Sequence, residues 1–234
     1  MLRTTFIHGF LGQPSDWDNV LQHFEGDSDA ITIPGAQSWD QTIQLVLDQL
    51  PSEVDLVGYS MGGRIAIGCA VMAPNRIRRL VVVSANPGVD ESERSSRLLH
   101  DVNIAKQLRE STSKPERRSF LDSWYRQPVF AGLVDSQIEE LIQRRAGFDI
   151  GAMAHLIETL SVALQPDYRD VLPAITAEAL FIAGDRDQKY VTIAKEAARL
   201  STRISYEIIQ DCGHVIPLEA PKALSTTINR FLNR

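Results

Sequence analysis

The stretch Val54-Asp55-Leu56-Val57-Gly58-Tyr59-Ser60-Met61-Gly62-Gly63-Arg64-Ile65-Ala66-Ile67 begins as a short apolar strand and turns at once into a helix. Its first four residues form a compact strand-like run, and Arg64 onward continues at helical spacing. Between them, Gly58-Tyr59-Ser60-Met61-Gly62 matches G-x-S-x-G, the pattern that holds a serine on a tight turn with its hydroxyl exposed. The flanking glycines admit close backbone approach. Chance alone would produce such a match in very roughly one chain in ten of this length, so the five residues are weak evidence by themselves. The strand before them and the helix after them make the match specific.

Outward from this turn the same alternation continues. Short β-branched runs at residues 4–8, 30–33, 54–59, 80–84, 179–184 and 204–209 predict six strands. Residues 15–24, 39–50, 61–72, 191–200 and 221–232 carry apolar side chains at helical spacing, and Ser15 with Asp18 resembles a capping box. Near-continuous apolar strands separated by helices predict a mostly parallel sheet covered on both faces. Between residues 89 and 171 no convincing strand occurs, charges of both signs are dense, and the apolar spacing is helical. This stretch is expected to be a helical cap (89–171), leaving after the fourth strand and returning before the fifth, on a core formed by residues 1–88 and 172–234. Turn-rich flanks, Asn86-Pro87-Gly88 and Leu172-Pro173, fit that division.

The 234 residues are 44% apolar, ample for a core, which excludes disorder as the main state. With 24 Lys plus Arg against 30 Asp plus Glu, the net charge is −6, so no overall attraction draws nucleic acid or anionic lipid. The longest nearly apolar stretch, residues 65–73, falls far short of the roughly 20 residues that span a bilayer. The N-terminal residues run straight into a strand pattern without a signal peptide, so a cytoplasmic protein is expected. Cys69 and Cys212 lack CxxC-type partners, and buried small hydrophobes are the expected role.

A serine hydroxyl becomes reactive when an imidazole takes its proton and a carboxylate fixes the tautomer of that imidazole. Among five histidines, His214 lies in Asp211-Cys212-Gly213-His214, just after the sixth strand. His23, His100 and His155 fall in helix-like segments and are expected to be surface or core residues. For the acid, Gly184-Asp185-Arg186-Asp187 follows the fifth strand; Asp187 has the better reach, with Asp185 as the alternative. Upstream, His8-Gly9-Phe10-Leu11-Gly12 ends the first strand, where the N–H groups of Phe10 and Met61 could form an anion hole. His8 is the alternative base, although a residue in its place more often braces the turn.

With the His8-Gly9 turn, Ser60, Asp187 and His214 in that order, the chain resembles the α/β-hydrolase fold over nearly its whole length. Beginning at the third strand of that family's usual sheet, it is expected to lack the first antiparallel strands. The string Trp124-Tyr125-Arg126-Gln127-Pro128-Val129-Phe130, with Arg64 after the serine turn and Arg94 and Arg97 after Pro87-Gly88-Val89, resembles the 2-succinyl-6-hydroxy-2,4-cyclohexadiene-1-carboxylate synthases of menaquinone biosynthesis. The resemblance implies a lyase without metal or cofactor, of the menaquinone or the related phylloquinone route, that expels pyruvate from a small polyanionic cyclohexene. It further implies that Ser60 abstracts the proton, that Arg64, Arg97 and Arg145 bind carboxylates, and that Trp124 and Tyr59 border the pocket. Arginine's planar fork suits that task, while Arg144 is expected only to solvate its helix. Pro34-Gly35-Ala36-Gln37-Ser38 departs from the family's Pro-Gly-His-Gly and is expected near the pocket. A serine hydrolase of esters, thioesters or C–C bonds, and a non-catalytic small-molecule receptor, are the alternatives on the same fold.

Overall fold

A computed structural model describes residues 2–234. Six strands, β1 (Thr4–Ile7), β2 (Ser28–Ile31), β3 (Val54–Tyr59), β4 (Ile77–Val83), β5 (Glu178–Gly184) and β6 (Ile204–Ile209), form one sheet in the order β2-β1-β3-β4-β5-β6. Every pairing is parallel. From β1 the chain steps to one side for β2 and then to the other for β3, so the order reverses between β1 and β3. A crevice opens at such a point beyond the carboxyl ends of the strands. Residues 8–12 and Ser60 follow these two strand ends.

Both faces of the sheet are covered. On one, the helices α2 (Trp39–Gln49) and α3 (Met61–Met72) pack with Ile7, Leu56, Leu80 and Phe181. On the other, Phe6, Val57, Val81 and Ile182 meet the short helix α1 (Asp18–Leu21) and the C-terminal helix, through Val20, Leu224, Ile228 and Phe231. Helix α3 is buried almost all round, and its small residues Gly62, Gly63, Ala66 and Ala70 allow it to lie close to the strands. Between β4 and β5 stand four helices, α4 (Glu91–Glu110), α5 (Lys114–Tyr125), α6 (Asp135–Arg145) and α7 (Ile150–Thr159). The last three are α8 (Gln188–Leu200), α9 (Ile216–Glu219) and α10 (Pro221–Leu232).

Several boundaries differ from those the sequence predicts, each for a physical reason. Strand β2 ends at Ile31 instead of reaching residue 33, because the N–H of Ile33 leaves the ladder and donates to His8 Nε2 at 3.3 Å. It begins earlier, at Ser28, where Asp29 accepts the Thr5 hydroxyl at 2.6 Å. Strand β4 starts at Ile77 because Arg78 pairs with Asp55 on β3, which hides a strand behind two charges. The helix predicted over residues 15–24 is a 3₁₀ turn, Pro14–Trp17, followed by the single turn of α1. Its capping carboxylate belongs to Asp16, which accepts the N–H of Gln13 at 3.1 Å, and the pairing of Ser15 with Asp18 does not form.

Candidate active site

Ser60 lies between β3 and α3 with φ 52° and ψ −112°, a backbone conformation that a residue with a Cβ adopts only under strain. The close packing of the turn enforces it. A Cβ on Gly62 would stand 2.4 Å from the carbonyl oxygens of Ile7 and His8, and one on Gly58 would stand 2.3 Å from that of Gly62. Only glycine satisfies both contacts, which is the physical content of the G-x-S-x-G pattern. The hydroxyl is thereby raised over the crevice between β1 and β3.

His214 reaches it from the loop after β6. Its buried ring donates Nδ1–H to Asp187 Oδ2 at 2.7 Å, which leaves Nε2 to accept the Ser60 hydroxyl at 3.3 Å. The loop is itself held by carboxylates. Glu219 accepts the N–H groups of Gly213 at 2.7 Å and Val215 at 2.9 Å, one on each side of the histidine. Asp185 accepts the N–H of Cys212 at 3.1 Å, so it braces the loop while Asp187 meets the imidazole. Tyr190 packs on the His214 ring with centroids 4.7 Å apart, and Tyr59 does so at 5.6 Å.

The backbone N–H of Met61 opens α3, and that of Phe10 lies in the turn after β1. Neither donates to an acceptor among the described residues. A helix N-terminus adds positive potential at Met61, so the two groups can receive an oxyanion. His8 stands behind this turn, donating Nδ1–H to Gly9 O at 2.8 Å and accepting on Nε2. Burial lowers its pKa, and with both nitrogens engaged it braces the turn.

A cavity of about 480 Å³ opens over Ser60 and His214. Its apolar wall includes Phe10, Trp124 and Phe130, with Trp124 edge-on to Phe10 at 5.3 Å. Its cations are Arg64, Arg97 and Lys189. Arg64 is only 9% exposed, yet its hydrogen-bond acceptors are uncharged: Gln165 Oε1 at 3.2 Å and Leu160 O at 2.9 Å. The guanidinium also lies 5.4 Å from the Trp39 ring. Burial lowers its pKa to about 10, so it remains charged at neutral pH. Arg97 engages Asp101 through Nε at 3.3 Å, while Asp101 also accepts the Ser161 hydroxyl at 2.7 Å.

Three positions expected at the pocket lie off the main cavity. Arg145 does not line this cavity; its terminal nitrogens bind Asp16 at 2.8 and 2.5 Å, and it borders a smaller space of about 60 Å³ that Ser60, Phe10 and Trp124 also line. Tyr59 also lies on that side, backing His214. Residues 34–38 stay clear of the main cavity, with Ser38 capping α2 and Ala36 O accepting His155 Nε2–H at 2.7 Å. Sequence reading missed Lys189, Tyr190 and His100 as lining residues. For the first two a signal existed, since they follow Asp187 directly; His100 gave none, because the orientation of α4 decides it.

The alpha/beta hydrolase family model matches residues 6–227. The chain is 32% identical to the 2-succinyl-6-hydroxy-2,4-cyclohexadiene-1-carboxylate synthase of Escherichia fergusonii, over 97% of this chain and 92% of that protein. Identity to the Salmonella typhimurium protein of the same name is also 32%, with the same coverages. Among solved structures, MenH from S. aureus superposes with a TM-score of 0.89 at 27% identity, covering 99% of this chain and 93% of that one. An enol-lactonase from Burkholderia xenovorans gives 0.80 at 17% identity, over 100% and 92%, a likeness of fold alone.

Proposed function

The chain belongs to the alpha/beta hydrolase family and, within it, to the 2-succinyl-6-hydroxy-2,4-cyclohexadiene-1-carboxylate synthases, and from that premise we propose that Ser60, His214 and Asp187 act as its proton-abstracting triad. It is a lyase of menaquinone biosynthesis. Its reaction converts 2-succinyl-5-enolpyruvyl-6-hydroxy-3-cyclohexene-1-carboxylate into the 2,4-diene and pyruvate. The ring numbering fixes the chemistry. One double bond at position 3 becomes two at positions 2 and 4, so the proton leaves C2 and the enolpyruvyl oxygen leaves C5. The proton on C2 is acidified by the adjacent succinyl ketone. Ser60 takes it while passing its own proton to His214 Nε2, and Asp187 steadies the resulting imidazolium. Charge that gathers on the ketone oxygen meets the N–H groups of Phe10 and Met61. The departing enolate accepts a proton and tautomerises to pyruvate.

The observation that carries this assignment is the Arg64 guanidinium, buried in the cavity beside the serine and bonded only to neutral acceptors. An uncompensated buried cation is costly to hold, and a carboxylate of the substrate supplies the missing charge. Arg97 presents a second cation from α4, and Trp124 forms a wall against the ring. A triad can also carry acyl transfer, but that route passes through an acyl-serine, whereas proton abstraction leaves the serine free. Mass spectrometry of enzyme quenched during turnover tests this difference. Unmodified Ser60 is expected, and an adduct accumulating on Ser60 would contradict the mechanism.

A further inference from the structure

Arg145 is 6% exposed and gives both terminal nitrogens to one carboxylate, Nη1 to Asp16 Oδ1 at 2.8 Å and Nη2 to Asp16 Oδ2 at 2.5 Å. Such a forked pair fixes orientation as well as distance. Its carboxylate half touches the turn that follows β1. Asp16 Oδ2 accepts the N–H of Gln13, and a Cβ on Gly12 would stand 3.0 Å from that same oxygen. The turn is tight, since Gly12 N–H donates to Gly9 O at 3.0 Å. Phe10 lies inside it, between Gly9 and Gly12.

Its guanidinium half comes from the last turn of α6, where it sits 5.6 Å from the Phe148 ring centroid. Nearby, Tyr125 packs on Phe130, and Phe130 packs edge-on to His214 with centroids 6.0 Å apart. The ion pair therefore joins the helices between β4 and β5 to the backbone that carries the Phe10 N–H. With both oxygens of Asp16 and both terminal nitrogens of Arg145 engaged, neither group faces the main cavity with a free charge.

We propose that Asp16 and Arg145 form a positioning pair, which holds residues 9–13 so that the Phe10 N–H meets the oxyanion formed during proton abstraction, and that Arg145 does not grip the substrate. The proposal rests on the reading of Phe10 and Met61 as the anion hole. Removing one anion-hole donor outright lowers kcat by about 10²- to 10³-fold. Displacing a donor instead of deleting it should lower kcat by about 10- to 100-fold and leave KM within about threefold, because the ground-state ketone demands little of the hole.

Pyruvate release is measured for the wild type, Asp16→Asn, Arg145→Met and the double variant over a range of substrate concentrations. Both single variants should lose kcat to a similar degree at nearly constant KM, and the double variant should be no worse than the poorer single one, as expected for two residues acting as a unit. The smaller cavity that Arg145 shares with Ser60 and Trp124 gives the rival a definite signature. If Arg145 binds a substrate carboxylate, Arg145→Met raises KM, while Asp16→Asn frees the cation and lowers KM. That pattern, or unchanged kcat in both single variants, overturns the proposal. Should Arg145→Met fail to fold, the nearly isosteric Asp16→Asn decides alone by whether kcat or KM moves. A wild type that releases no pyruvate would refute the proposed function instead, so the two failures are distinct.

Discussion

Ser60, His214 and Asp187 sit on three separate loops, yet their distances describe one hydrogen-bonded chain. Ser60→Ala, His214→Ala and Asp187→Asn are each expected to lower kcat by roughly 10³-fold or more, with combined variants little worse than the poorest single one. Additive losses in steady-state kinetics would argue against a unit. Asp185→Asn should be milder, since it loosens the bond to Cys212 without touching the imidazole. His8 contributes through stability. Burial depresses its pKa below the ordinary 6.5, so the folded chain keeps it neutral while the unfolded chain gains a proton. Its contribution is full above about pH 6.5 and is lost as pH falls from there toward the folded pKa. Denaturant titrations between pH 7.5 and 5 should show a steeper loss for the wild type than for His8→Asn. At this scale the hydrogen-bonded grouping of Ser60, His214 and Asp187 was legible because motif order and strand ends place it. Gln165 was not, because its contact with Arg64 spans 101 residues and no local pattern encodes it.

The element that decides the fold is the β3-to-α3 turn, where Gly62 lies against the end of β1 and Gly58 against Gly62. Gly62→Ala would drive a methyl group into two strand-end carbonyls, and backbone there cannot yield as a side chain could. A loss of about 1–3 kcal/mol or more is expected in chemical denaturation, with kcat reduced because the serine shifts. The loop bearing His214 depends on Glu219 in a similar way. Glu219→Ala removes an acceptor from two N–H groups, and kcat should fall while the substrate's KM stays near wild type. Strands β3 and β6, rich in β-branched or aliphatic residues and bounded by turns, were legible to the residue. The ends of β2 and β4 were not legible, because the cross-strand partners of Asp29 and Arg78 decide them. The stretch between β4 and β5 was legible as helical, but which helix faces inward depends on packing that spacing alone does not fix.

Across the whole molecule the charge is −6, but cations from three elements converge on one cavity: Arg64 on α3, Arg97 on α4 and Lys189 on α8. Under the proposed function, this local field is what would let an acidic protein take up an acidic ligand. If Arg64 and Arg97 hold substrate carboxylates as proposed, methionine at either should remove a charge-assisted hydrogen bond of about 1.5 to 3 kcal/mol, or roughly a 10- to 150-fold loss in kcat/KM. Raising ionic strength from about 0.1 to 1 M shortens the screening length from about 10 to 3 Å, and should depress kcat/KM more in the wild type than in these variants. Equal salt dependence would remove the field from the account. No described helix is long and apolar enough to cross a membrane.

The architecture could be read from the order of four motifs along the chain, because each follows a strand end and parallel strands bring those ends together. The convergence of cations could be read only where the family resemblance pointed, since it depends on how the helices between β4 and β5 settle over the sheet. The most direct measurement is release of pyruvate by the purified protein from 2-succinyl-5-enolpyruvyl-6-hydroxy-3-cyclohexene-1-carboxylate, followed by coupling to lactate dehydrogenase. The expected result is turnover well above the spontaneous elimination, abolished in Ser60→Ala. Pyruvate released no faster than without enzyme, from a folded wild-type protein, would contradict the account.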